Sequence, residues 1–194
     1  YRMTLSVEEA APVDRVKREL NTAEWVQILN KAWKTGIPHI IFTGGEPTLR
    51  DDLPEIIAAA EENGQVTGLL TDGIKLADVT YLDQLLQTGL DHLMIILEHT
   101  KDLVWKALEN ALQADLFVAV HLTLTENNLE DNLPLLERLA EMGVKAISTS
   151  ATHKELAPQL EQLRQKIAQL ELDLVWNLPT PYSAMHPVAL ETGI

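Results

Sequence analysis

Apolar positions along the chain follow two rhythms, one suited to helices and one to strands. Trp25, Val26, Ile28, Leu29 and Trp33 fit a 3.6-residue period and predict a helix over 22–34. Asn21 and Glu24 have the spacing of a capping box at its start, and Gly36 stops it. The run at 38–43, Pro-His-Ile-Ile-Phe-Thr, then predicts a buried strand. Asp52 is expected to cap the next helix, with Pro54 in its first turn, and that helix ends at Asn63-Gly64. The alternation continues to the end of the chain. Further strands are expected at 66–71, 92–98, 116–125, 144–149 and 172–176, and helices at 78–87, 102–114, 129–142 and 155–171.

Helices alternating with strands imply right-handed crossovers and a mostly parallel sheet in an α/β fold. Near-continuous apolar strands imply cover on both faces. An open doubly wound sheet and a barrel share this pattern. A closed eight-unit barrel typically takes ~250 residues, and about six units are present here. Either architecture puts ligand sites at the carboxyl ends of the strands. One domain is expected over 1–178. Residues 179–194, which open on Pro179 and Pro181, read as an extended arm or linker.

Composition narrows the partners. The chain has 194 residues, with 15 Lys and Arg against 29 Asp and Glu, for a formal charge of −14. An acid excess of that size opposes a duplex-binding surface, so no nucleic-acid partner is expected. No apolar run approaches the ~20 residues that span a bilayer, and Tyr1-Arg2-Met3 opens no apolar signal region. A cytoplasmic protein without a membrane partner is the resulting expectation. There is no cysteine, so the chain supplies no disulfide, no thiolate metal ligand and no cysteine nucleophile.

The residues after the strands carry the candidate chemistry. After the 38–43 strand comes Gly44-Gly45-Glu46-Pro47-Thr48-Leu49-Arg50. Paired glycines let a backbone turn sharply and approach a ligand, a carboxylate behind them can bind a cationic group, and Pro47 stiffens the exit. Thr71, Asp72 and Gly73 follow the next strand, where they could equally be an ordinary helix start. Glu98 stands where a third strand should end. His121 and Thr123 lie within a later strand, where the His121 side chain could face the interior. His99, His121 and His153 fall near the ends of successive strands and could make a metal site, although no short ligand spacing supports one.

Residues 37–50, Ile-Pro-His-Ile-Ile-Phe-Thr-Gly-Gly-Glu-Pro-Thr-Leu-Arg, resemble the second-strand signature of the radical S-adenosylmethionine superfamily. Leu70-Thr71-Asp72-Gly73 is similar to that family's Thr-Asn-Gly strand end, with Asp72 for the usual Asn, and 122–128 resembles its fifth-strand end. The resemblance covers about residues 20–178, and it implies a partial (β/α)6, TIM-like barrel. It also implies that Gly44, Gly45, Glu46 and Pro47 bind the methionyl amino group of S-adenosylmethionine, with Thr71, Asp72, Gly73, Glu98, His121 and Thr123 as further cofactor contacts. A [4Fe–4S] cluster, iron–sulfur radical chemistry and a peptide or small-molecule substrate go with the family.

This chain departs from the pattern in two places. The family's C-x3-C-x2-C cluster loop is absent, and Met3 and Ser6 stand at the presumed ligand positions, where a thioether and a hydroxyl do not replace thiolates on iron. The first strand is expected to precede Tyr1. At 93–99, Ile96, Glu98 and His99 replace the family's Ser, Asp and Gly. The chain as written is therefore expected not to cleave S-adenosylmethionine reductively. Truncation with replaced cysteines, redesign and natural degeneration are all compatible with that. Two other possibilities are a non-catalytic barrel that binds S-adenosylmethionine, a nucleotide or a peptide, and an unrelated hydrolase or lyase using Glu46, Glu98 and His121. The sequence leaves substrate and oligomeric state open.

Overall fold

The computed structural model describes residues 19–98, 101–126 and 128–178. Met3, Ser6, His99 and the expected arm at 179–194 lie outside them. The regular elements alternate as expected: α1 (Thr22–Lys34), β1 (His39–Phe42), α2 (Leu53–Glu62), β2 (Val66–Thr71), α3 (Val79–Leu86), β3 (His92–Ile96), α4 (Asp102–Leu112), β4 (Phe117–Leu124), α5 (Leu129–Glu141), β5 (Ala146–Ala151), α6 (Ala157–Gln169) and β6 (Asp173–Leu178). Short 3-10 turns at Pro47–Leu49, Ile74–Ala77 and Lys154–Leu156 follow β1, β2 and β5.

The six strands form one parallel sheet in the order β1-β2-β3-β4-β5-β6. A doubly wound sheet reverses its strand order at a switch point. This order never reverses, which is the sequential topology of (β/α) barrel sheets.

The described residues group into two compact units. One holds 19–94, 98 and 101–117, and the other holds 95–97, 118–126 and 128–178. In the first, Ile56, Ile57 and Ala60 of α2, Leu69 of β2 and Leu82 and Leu85 of α3 are buried, because apolar residues three or four apart give each helix one continuous inward stripe. In the second, Val120 and Leu122 of β4, Leu136 and Leu139 of α5, Ile147 of β5 and Leu163 and Ile167 of α6 do the same.

Several expectations need correction. The capping box at Asn21 and Glu24 is present, with both reciprocal bonds formed. Asp52, by contrast, makes no capping bond to α2. Arg50 donates to its carboxylate from Nε at 3.0 Å and from a terminal guanidinium nitrogen at 2.8 Å, and Thr22 donates its hydroxyl at 2.6 Å. A charged bidentate partner outcompetes a backbone N–H. The helix expected from 155 begins with a 3-10 turn and becomes α-helical at Ala157, while β6 runs on through Leu178. β1 is not buried on both faces: Ile41 is 54% exposed, and β1, first in the strand order, has one neighbouring strand, β2, among the described residues. Trp33, expected on an apolar face, is 43% exposed.

Candidate functional site

In the first unit the turn after β1 and the turn after β2 are joined through one carboxylate. Glu46 opens the 3-10 turn Pro47–Leu49 from an extended backbone, so its side chain folds back over that turn. Its Oε1 accepts from the Thr48 N–H at 3.0 Å, from Thr48 Oγ1 at 2.7 Å and from Thr71 Oγ1 at 2.6 Å. Its Oε2 accepts from the Asp72 N–H at 2.7 Å. Oε1 is therefore saturated, whereas among the described residues Oε2 has one donor, with acceptor capacity left over. Thr48 and Thr71 are buried and Glu46 is half-buried. Four fixed donors hold the carboxylate in one orientation, so the acid is turned toward the end of β2 and not into bulk water.

The second turn is equally specified. Thr71 Oγ1 accepts from the Gly73 N–H at 3.1 Å, and Asp72 Oδ1 accepts from the Ile74 N–H at 3.0 Å. Gly73 sits at a φ of 79°, a left-handed conformation that costs glycine nothing and penalises a β-carbon. Gly44 has a φ of 150°, and a Cβ added at Gly44 or Gly45 would meet nothing within 4 Å, so the bend carrying Glu46 is open on that side. Burial pushes the Asp72 carboxyl above its ordinary range. The Ile74 N–H opposes the shift, Glu46 adds to it, Lys101 opposes it, and Glu98 adds to it. Three acids thus share one electrostatic neighbourhood. Glu98 itself is exposed and pairs with Lys101 at 2.7 Å.

In the second unit β4 and β5 build a separate polar patch. The parallel register sets His121 beside Ser148 and Thr123 beside Ser150. Nδ1 of His121 lies 2.9 Å from Ser148 Oγ and Nε2 lies 3.0 Å from Ser150 Oγ. Burial pulls the imidazole down to about 4, so the ring is neutral at physiological pH. A neutral ring has one donor and one acceptor, so one serine donates to it and the other accepts from it. Ser148 and Ser150 are buried, at 1% and 7% exposure. Thr123 uses its carbonyl to accept from Asn128 Nδ2 at 2.9 Å, which fixes the turn after β4.

Glu46, Pro47, Thr71, Asp72, Gly73 and the two glycines therefore gather around one carboxylate, while His121 and Thr123 belong to the other unit's sheet. The three-histidine metal site is not assembled. His121 is engaged between two serines, His153 is exposed, His99 lies outside the described residues, and no group of three His, Asp or Glu suited to a metal occurs among the described residues. Sequence reasoning missed Thr48, Lys75, Ser148 and Ser150. Thr48 lies within the quoted motif. The serines, alternating in Ala-Ile-Ser-Thr-Ser-Ala, carry a period-2 polar signal whose partner only the strand register supplies.

Residues 6–153 match the Radical SAM superfamily, and the chain belongs to that superfamily. A stretch of 83 residues is 39% identical to the PqqA peptide cyclase of Granulibacter bethesdensis, covering 43% of this chain and 22% of that protein. Among solved structures, Streptococcus suis SuiB bound to S-adenosylmethionine matches with a TM-score of 0.68 at 17% identity, over 83% of this chain and 42% of that one. SuiB bound to the precursor peptide SuiA matches with a TM-score of 0.67 at 17% identity, over 83% and 43%. At that identity the likeness is one of fold. The chain spans less than half the length of each of these proteins.

The superfamily implies S-adenosylmethionine and a [4Fe–4S] cluster. The residues present do not fit the cluster: residues 1–194 contain no thiolate, and the described residues offer no substitute ligand group. The Glu46 carboxylate, whose Oε2 has acceptor capacity left among the described residues, does fit an ammonium group.

No helix among the described residues is long and apolar enough to cross a membrane.

Proposed function

We propose that this chain is the S-adenosylmethionine-binding core of an enzyme that modifies a peptide. The observation that carries the reading is the Glu46 carboxylate, held by Thr48, Thr71 and Asp72 with acceptor capacity left on Oε2. An ammonium donates hydrogen bonds and carries positive charge. Asp72 and Glu98 deepen the negative potential around it; Asp72 is raised first by burial, and a cation there relieves the lesser part that Glu46 and Glu98 add. Gly44, Gly45 and Pro47 shape the approach, and Gly73 lets the β2 turn close under the acid.

A peptide substrate is favoured by the relatives: one is a PqqA peptide cyclase, and another was solved with a precursor peptide. The cofactor supplies the radical chemistry in such enzymes, and the polypeptide binds, orients and shields it. Residues 1–194 lack ligands for the cluster, so these residues alone bind the cofactor without reducing it. That absence favours a second reading, a barrel that binds S-adenosylmethionine without turnover.

Calorimetric titration with S-adenosylmethionine tests the common core of both. The wild-type chain binds, and Glu46→Gln, which keeps shape and removes charge, weakens binding at least tenfold, as loss of a charged hydrogen bond requires. Equal affinity in the variant, or no binding by the wild type, overturns the reading. Iron analysis after anaerobic reconstitution separates the two versions, since a stable four-iron cluster on this chain restores the catalytic one.

A further inference from the structure

The turn that aims Glu46 is itself held from behind. Lys75 lies in the 3-10 turn Ile74–Ala77 after β2, and its Nζ donates to the Thr48 carbonyl at 2.8 Å. The same Nζ stands 4.2 Å from the ring centroid of Tyr81, one turn into α3. Thr48 is the residue whose N–H and hydroxyl both grip Glu46, so Lys75 holds the carbonyl of the peptide unit next to that grip. The 74–77 turn does not move freely either. Leu76 is fully buried, and Asn110 Nδ2 of α4 donates to the Leu76 carbonyl at 3.1 Å and to the Ala77 carbonyl at 3.3 Å.

From these contacts we infer that Lys75, braced between the Thr48 carbonyl and the Tyr81 ring, is a positioning residue that sets the Glu46 carboxylate for its cationic ligand. The inference rests on the reading of Glu46 given above. Its physical basis is an ammonium shared between a carbonyl acceptor and an aromatic face, two interactions that strengthen as water is excluded. Tyr81 is 7% exposed, and its hydroxyl has no hydrogen-bond partner among the described residues. The contact with Lys75 is made by the ring, and loss of the hydroxyl alone removes no bond among the described residues.

Four variants and two measurements test this. Amide hydrogen exchange reads the Thr48 and Asp72 N–H groups, both of which donate to Glu46, and calorimetry reads S-adenosylmethionine affinity. Lys75→Met speeds exchange at Thr48 and Asp72, leaves the Leu29 amide of α1 unchanged, and weakens binding roughly tenfold. Lys75→Arg retains a cation and keeps affinity within about threefold. Tyr81→Phe behaves as wild type, whereas Tyr81→Leu reproduces the Lys75→Met pattern in weaker form.

Unchanged exchange in Lys75→Met, or faster exchange with unaltered affinity, overturns the inference. So does exchange that rises equally at Leu29, because that pattern marks general destabilisation. If Lys75→Met fails to fold, the comparison of Tyr81→Leu with Tyr81→Phe decides, and identical behaviour of the pair rejects the brace. If wild type does not bind S-adenosylmethionine, the functional reading fails while the exchange data still decide whether Lys75 orders the turn.

Discussion

The Asp72 backbone N–H donates to Glu46 Oε2 at 2.7 Å, tying the turn after β1 to the turn after β2. The two residues are 26 positions apart, and the parallel pairing of β1 with β2 is what brings their strand ends together. A second tie runs alongside, from the Thr71 hydroxyl to Oε1. The candidate site is thus a property of two adjacent strand ends, with the acid as their common acceptor.

Thr71→Val tests that second tie. Valine has the same shape but cannot donate to Glu46 or accept from the Gly73 N–H. Thr71 is fully buried, so the orphaned Gly73 donor costs about 1–3 kcal/mol in chemical denaturation. S-adenosylmethionine affinity falls about tenfold in the same variant. Unaltered stability and affinity together would show that the hydroxyl plays no part in holding the acid.

Gly68 of β2 is needed for a different reason. The His92 ring lies against it, and a Cβ at 68 would stand 2.1 Å from Nε2. Gly68→Ala therefore forces the ring aside and lowers stability by about 1–3 kcal/mol. Removing the obstacle in Gly68→Ala/His92→Ala should recover most of the loss, a coupling that a double-mutant cycle measures directly. Simple additivity of the two changes would refute the steric account.

His121 predicts a pH dependence. Unfolded, the imidazole takes up its proton near the ordinary value of 6.5, and folded only near about 4. Between those values the unfolded chain binds more protons, so stability is lost as pH falls. The loss reaches about 3 kcal/mol by pH 4. His121→Gln cannot titrate and should lack this component. The check is the difference between wild-type and variant unfolding free energies from pH 7 to pH 4, and a flat difference would mean the ring is not shielded.

Arg50 is expected to resist conservative replacement. It holds Asp52 with two guanidinium nitrogens and donates to the Leu20 carbonyl at 3.1 Å, a fork that an ammonium cannot reproduce. Arg50→Lys should cost about 1 kcal/mol despite keeping its charge, a modest figure because the pair is partly exposed. Asp52 is held below its ordinary range, first by the Arg50 hydrogen bonds, so the stability it contributes is present at neutral pH and lost in acid. The variant's acid-unfolding midpoint should move to higher pH. A midpoint that stays in place would count against the fork.

Much of this protein is written locally. The 3.6-residue stripe of α1, the capping box of Asn21 and Glu24 and the apolar runs of the strands depend on residues a few positions apart, so the order of elements was legible from the chain. The Gly-Gly-Glu-Pro turn was legible too, because a sharp bend with a following acid is a contiguous string. Asp52 shows where the capping rule fails: its cap spacing is correct, but Arg50, two residues upstream, and Thr22, thirty residues away, take the carboxylate instead. The same holds for His121, whose partners Ser148 and Ser150 sit 27 and 29 residues away. What the chain fixed by itself is the order of the elements, the capping box and the glycine bend with its acid, each made of near neighbours. Which oxygens of that acid are occupied, and which residues brace it, required the strand register, because hydrogen bonds between distant segments exist only once the sheet has set their spacing.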